Sequence, residues 1–561
     1  MKRLLNIQYE TVGGLLLIIY IFLAFIVVCS TFADETITGT WRGPFPMGAN
    51  LTVMVHLENT THGRIQMFEN ANQLQDDELS DINISGDRIT FTIPAKQTTF
   101  SGTVQDAVLS GTFTFPDGSL HKVRLTKETI PSFMDADQPV PSKKISTDRI
   151  HTRDELLQDL ETLEQKLFHT HPNPYTFEKK VWFDSTIKDM KNHLSDNSEL
   201  DFFRTLAPLV ARVGCAHTGI RLSPQSEHLL KNTPSFLPLQ VFIQNDSAYV
   251  LKSYDQYNPI SPGCRLLTIN GTPIKKCIAT ISRCLPADGY NRSAIQWQIR
   301  HHFNWLYALY IETPDSFSIQ LMDENNKPLF VKIPAVPFDV IEQHRQVEHE
   351  FDQEVPLFKV NDETSYALLT FTHFSYPDFD RYHLYLKEQF RLLKENNIQS
   401  LIIDLRGNSG GHPLFAAELL SYLVHNNFTY FAATDIPEFD LLSQSLPAKE
   451  EAFSGQVLIL VDGGCLSTTG HFLSLVQYHK AGTLIGETPG SSFYCFDNSV
   501  QISLPHTGIQ ANIPQSIFKT AVKGYTIGEE LKVDYGLEPT FQDVINERDV
   551  VFEKALSLME K

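Results

Sequence analysis

Two stretches of the 561-residue sequence place serine, glycine and an apolar strand in an order that suits acyl transfer. In LIIDLRGNSGG (401–411) and VLILVDGGCLSTTGHF (457–472), a continuous apolar run empties into a glycine-rich turn that opens a helix. Such a turn leaves backbone N–H groups free at the helix N-terminus, where they can hold a developing oxyanion. Gly410 and Gly411 carry no Cβ, so a substrate carbonyl can approach their backbone. Ser467 stands at the second turn, where a nucleophile would face those donors. A lone serine after a Gly-Gly pair is more often a helix N-cap than a nucleophile, and the second glycine-rich turn tips the balance towards chemistry. A hydroxyl attacks at neutral pH only when a neighbouring group takes its proton, so a base must be brought to Ser467 from elsewhere.

The elements that must position these residues are legible in outline. Residues 357–545 alternate buried strands (SYALLTFTHF, SLIIDL, GQVLILVD) with helical stretches (FDRYHLYLKEQFRLLKENN, LFAAELLSYLV, TTGHFLSLVQYHKA), which predicts crossover connections and a covered sheet. Residues 546–561 form a C-terminal helix. Upstream, RDELLQDLETLEQKLF and ELDFFRTLAPLVARV have apolar residues at helical spacing, giving a helical segment over 145–230 that ends at GCAHTGI. Residues 231–335 return to strands around SPGCRLLTINGTPI. Residues 36–128 alternate with period two between Gly, Asp and Asn punctuation, which predicts a small antiparallel β-barrel or sandwich, and 129–144 is a Pro- and Ser-containing linker.

The remaining features bound the setting. Formal charge is −20, from 46 basic and 66 acidic residues, which argues against nucleic acid as a partner. Residues 1–33 carry Lys2 and Arg3, then the apolar run from Gly13 to Cys29, the order of a signal peptide or N-terminal anchor; the rest of the chain is then extracytoplasmic, and any membrane contact is through that anchor. Seven cysteines show no metal-like spacing, and Cys277 and Cys284 are close enough to pair, with free buried thiols an equal alternative. His169 and His171 lack a third ligand and read as a helix-ending loop. Arg406 is expected to brace its turn through carbonyls, and sequons such as Asn427 permit glycosylation.

The paired signatures resemble the tail-specific and tricorn peptidase family, of crotonase-like fold. The first is Asp404-Leu405-Arg406-Gly407-Asn408-Ser409-Gly410-Gly411, and the second Gly463-Gly464-Cys465-Leu466-Ser467-Thr468; AGTLIGETPG (481–490) and YGLEPT (535–540) follow in family order. The resemblance spans about 145–545 and implies a PDZ-like domain at 231–335, a serine peptidase acting on unfolded polypeptide or peptide, and no metal or organic cofactor. It also implies a second oxyanion donor, the Thr468 N–H. Ser491 and Ser492 stand where the lysine branch of the family has its base, so the resemblance turns to the histidine branch and to His217 in Cys215-Ala216-His217-Thr218. Imidazole as a class suits proton transfer from serine and on to a leaving amine. The family's orienting acid precedes the last Gly-x-x-Pro phrase, but its column falls on Val533; Asp534 is the nearest choice, with Glu530 in reserve. Two other readings fit the same scaffold: an inactive binding protein, and a hydrolase of a non-peptide acyl substrate.

Overall fold

In a computed structural model the described residues are 39–44, 51–57, 63–69, 72–85, 87–105, 108–127, 149–244, 246–255, 259–345, 356–361 and 366–559. The signal or anchor segment, Cys29 and the 129–144 linker lie outside them. Among the described residues no helix is long and apolar enough to cross a membrane. The chain divides into two units, Met1–Val140 and Pro141–Lys561.

The first unit is one continuous nine-stranded antiparallel sheet, a meander in which the first strand, Gly39–Pro44, pairs with the last, Leu120–Lys127. Its strands bury alternate residues, as Ile89, Phe91 and Ile93 do in Arg88–Ile93, because successive side chains of a strand point to opposite faces. Trp41, Phe100 and Phe113 fill the core.

The second unit begins with four helices. Arg153–Thr170 starts at a capping box in which Thr152 and Glu155 satisfy each other's backbone amides, and it buries Leu156, Leu160, Leu163 and Leu167 at helical spacing. Lys180–His193, Glu199–Ala211 and Pro224–Asn232 follow. Next comes an antiparallel sheet in the order Leu239–Gln244, Ser247–Ser253, Arg265–Ile269, Ser316–Met322, Pro328–Pro334. It is packed with the helices Ile274–Cys284 and Ser293–Tyr310 around a core of its own. All six described cysteines are free and buried, so Cys277 and Cys284 do not pair; the Cys284 thiol donates to the Thr280 carbonyl inside the helix.

The α/β core is a six-stranded sheet ordered Leu357–Asn361, Tyr366–Thr370, Ser400–Asp404, Gln456–Val461, Thr483–Gly486, Tyr535–Gly536, parallel after the first pair. The central strands are apolar on both faces because both are covered. Leu401, Ile403, Ile459 and Val461 join the main core, whereas Ile402, Leu458 and Leu460 pack towards the C-terminal helix Val550–Met559. Parallel pairing of Ser400–Asp404 with Gln456–Val461 sets their C-terminal ends side by side. Both glycine-rich turns therefore leave the sheet at the same edge, where ligand sites form in open α/β sheets.

Candidate active site

The turn after Ser400–Asp404 is held by side chains that its own sequence supplies. Asn408 is fully buried: its Nδ2 donates to the Phe371 carbonyl, and its Oδ1 accepts from the Gly410 amide at 3.0 Å and from the Thr469 hydroxyl at 2.7 Å. Asp462, at the end of the neighbouring strand, accepts from the Gly407 and Gly464 amides and from Trp297 Nε1. The two turns are thus tied to each other as well as to the sheet. Arg406 grips the Asp404 carboxylate with two donors and reaches Asp549, so it braces the turn through carboxylates and not through the carbonyls expected from the sequence.

Ser467 precedes the helix Thr468–His479 with φ 53° and ψ −124°, a region a residue with a Cβ rarely occupies. Its hydroxyl makes no capping bond, which answers the N-cap alternative. It meets His217 Nε2 instead, at 3.1 Å. His217 comes from the opposite direction: Glu199–Ala211 ends, Gly214 turns the chain at φ 72°, and Gly219–Arg221 pairs with Gln510–Ile513. Asn512 Nδ2 donates to the His217 carbonyl at 2.7 Å and the Ala216 amide donates to Asp288 Oδ1 at 2.9 Å, which fix the turn on both sides.

Gly410 and Gly411 adopt φ 98° and 142°. A Cβ on Gly410 would lie 2.8 Å from Ser467 Cβ and 2.9 Å from the Thr468 nitrogen, so its absence opens the volume between Ser467 and the Thr468 amide. The Gly410 amide, an expected donor, is already given to Asn408 Oδ1. The Gly411 and Thr468 amides have no acceptor among the described residues. The Thr468 hydroxyl donates to the Gly411 carbonyl and links the two.

The sequence-level choice of orienting acid needs correction. Asp534 is exposed, and its Oδ2 accepts the Leu484 amide at 2.8 Å while its own amide reaches the Leu484 carbonyl, which fastens the last strand of the core sheet. Glu530 accepts the Arg292 amide at 3.2 Å. Neither carboxylate is brought to His217. Two others are: Asp497 Oδ2 lies 3.4 Å from His217 Nε2, and an Asp288 oxygen, a His217 ring nitrogen and the Cys215 sulfur lie within 4.8 Å of one another. His217 Nδ1 is buried and has no hydrogen-bond partner among the described residues. Asp288 is partly buried and accepts the Ser491 hydroxyl at 2.6 Å; burial pushes its carboxyl above the ordinary carboxylate range, against the opposing pull of His217 and these hydrogen bonds. The signal for Asp288 in the sequence, LPADGYNRS, is only a turn.

Ser467, His217, Gly410, Gly411 and Thr468 line one cleft of about 720 Å³. It is bounded further on by Ile436, Phe439 and Phe518, with His471 and Cys495 beside them. His471 Nε2 lies 3.3 Å from Cys495 Sγ, and burial pulls its pKa down to about 3. His171, which caps the helix Arg153–Thr170, packs its ring on Phe496 at 4.5 Å and is likewise pulled down, to about 4.

Residues 366–512 match the model of peptidase family S41, and this region holds both glycine-rich turns and Ser467. Among solved structures, the fold is similar to mature CPAF at TM-score 0.51 and 14% identity, over 72% of this chain and 96% of that one. A complex of mature CPAF with lactacystin gives 0.52 and 14%, over 72% and 98%. The photosystem II D1 C-terminal processing protease aligns at TM-score 0.37 and 12% identity, over 72% and 98%. No curated protein matches the chain in sequence. Residues 366–512, the part of the α/β core that carries both glycine-rich turns, thus match the serine-type peptidases of family S41.

Proposed function

We propose that the chain cleaves unfolded polypeptides or peptides through an acyl-enzyme on Ser467, with His217 as general base. The observation that carries this reading is the 3.1 Å contact between Ser467 Oγ and His217 Nε2, made by a serine held at positive φ with its hydroxyl free of any capping duty. His217 Nε2 takes the hydroxyl proton as Oγ bonds to the scissile carbonyl carbon. The carbonyl oxygen becomes an oxyanion held by the Gly411 and Thr468 amides. The C–N bond then breaks, His217 passes its proton to the leaving amine, and water reverses the sequence to release the acid.

Asp288 is the orienting carboxylate in this proposal, replacing Asp534 and Glu530. Its support is that one of its oxygens lies within 4.8 Å of a His217 ring nitrogen, while the buried His217 Nδ1 has no hydrogen-bond partner among the described residues. Ser491, where the lysine branch would have its base, donates to Asp288 and holds that carboxylate in place. We further read the sheet of residues 239–334 as PDZ-like, the core as crotonase-like, and the protein as exported behind its N-terminal segment.

The test is digestion of casein by the exported portion, comparing wild type with Ser467→Ala and His217→Ala. Loss of cleavage in both variants with circular dichroism unchanged supports the pair. Equal cleavage by Ser467→Ala and wild type sinks it.

A further inference from the structure

The mechanism leaves unused the aromatic end of the cleft. His471 lies one helical turn after Ser467, its amide donates to the Ser467 carbonyl at 3.1 Å, and both residues line the cleft. Phe518 stacks on His471 at 6.2 Å, Phe439 meets Phe518 at 6.1 Å, and Phe431 closes on both His471 and Phe518 at 5.6 Å. His412, the residue after the Gly411 donor, stands edge-on to Phe439 at 5.1 Å. His412, Phe439, His471 and Phe518 line the same cleft as Ser467, Gly411 and Thr468.

We propose, resting on the peptidase reading above, that this recess, walled by Ile436, Phe439 and Phe518 and floored by His471 and Cys495, is the primary specificity pocket. It takes the side chain of the residue whose carbonyl is attacked, and it selects bulky apolar side chains. Three observations lead there. The walls are aromatic and aliphatic, so an apolar side chain gains contact and leaves water. The floor carries no charge near neutral pH, since burial holds the His471 ring neutral and keeps the Cys495 thiol protonated. The charged side chains that line the cleft are the carboxylates Asp497 and Glu438; Asp497 sits against His217, and Glu438 is exposed and 3.9 Å from His412. No Lys or Arg is among the lining residues, so an acidic side chain entering the recess would find no counter-ion.

The experiment is mass-spectrometric mapping of every bond cut in a denatured protein mixture by wild type, Ile436→Trp and Phe518→Ala, with Ser467→Ala as blank. Wild type is expected to cut after Phe, Leu and Met with kcat/KM about 100-fold above cuts after Asp or Glu. Ile436 is only partly buried, so Ile436→Trp fills the recess without opening a core cavity. It is expected to lower cutting after Phe about 10-fold while leaving cutting after Ala within about 3-fold. Phe518→Ala widens the recess and shifts the profile towards Trp. Cleavage without apolar enrichment, enrichment of Lys or Arg, or a profile unchanged in both variants overturns the pocket assignment alone. Cleavage equal to the Ser467→Ala blank overturns the peptidase mechanism and the pocket with it.

Discussion

The two glycine-rich turns leave neighbouring parallel strands at the same sheet edge, yet they use backbone strain in opposite ways. The turn after Asp404 reaches φ 98° and 142° with glycines, where a Cβ would strike Leu466, Ser467 and Phe374. The turn after Val461 reaches φ 53° with Ser467, which has a Cβ and therefore holds a strained conformation. In the proposed mechanism the first turn offers only its backbone, so the side chain can be given up. The second, on the same proposal, presents a hydroxyl, and the surrounding hydrogen bonds of Asp462, Asn408 and Thr468 hold a residue the backbone disfavours.

The largest effect that sharpens this contrast is at Ser467. Both Ser467→Ala and Ser467→Gly are expected to lower kcat by about 10⁴-fold or more. Only the glycine variant relieves the φ 53° conformation, so in urea unfolding it is expected to be about 1 kcal/mol more stable than the alanine variant. Equal stability of the two would mean that the turn stores no strain. At the other turn, Gly410→Ala pushes a methyl into the space between Ser467 and Thr468, and kcat is expected to fall about 10³-fold with weakened thermal stability. Activity within 10-fold of wild type would show that the oxyanion does not lie there.

A smaller effect separates the two carboxylates. Asp288→Asn is expected to lower kcat about 100-fold, whereas Asp534→Asn, which touches only the Leu484 backbone, stays within about 3-fold. Because burial raises the Asp288 carboxyl, the folded protein holds that proton more tightly than the unfolded chain, and stability falls as pH rises through the raised value. Asn removes this penalty, so unfolding at pH 7 should show Asp288→Asn no less stable than wild type. The smallest effect concerns acid. His471 and His171 are pulled down to about 3 and about 4, so the unfolded chain binds protons that the folded one refuses. Their contribution is complete above pH 6.5 and drains away as pH falls below it, by about 1.4 kcal/mol per pH unit for each ring. Urea unfolding between pH 7 and 5 measures the slope, and His171→Phe should reduce it by about half.

Local chemistry was readable where the chain writes it contiguously. Apolar strands running into Gly410-Gly411 and into Ser467-Thr468 follow from residue order, because a buried parallel strand and a glycine turn are short-range features. The helical spacing of Leu156, Leu160, Leu163 and Leu167 is equally local. His217 was singled out only through resemblance, since 250 residues separate it from Ser467. Asp288 was not found: a carboxylate in a loop carries no periodicity, and only folding brings its oxygens to the Ala216 amide, the Ser491 hydroxyl and the His217 ring. For the same reason Asp534 was misjudged, because proximity to Gly536 in sequence says nothing about which backbone amide its carboxylate will reach. The sequence by itself determined which strands are buried and that glycine-rich turns follow two of them. The tertiary structure alone decided which amides remain unpaired, which carboxylates come near His217 and what walls the cleft, because these depend on contacts between segments that the sequence keeps far apart.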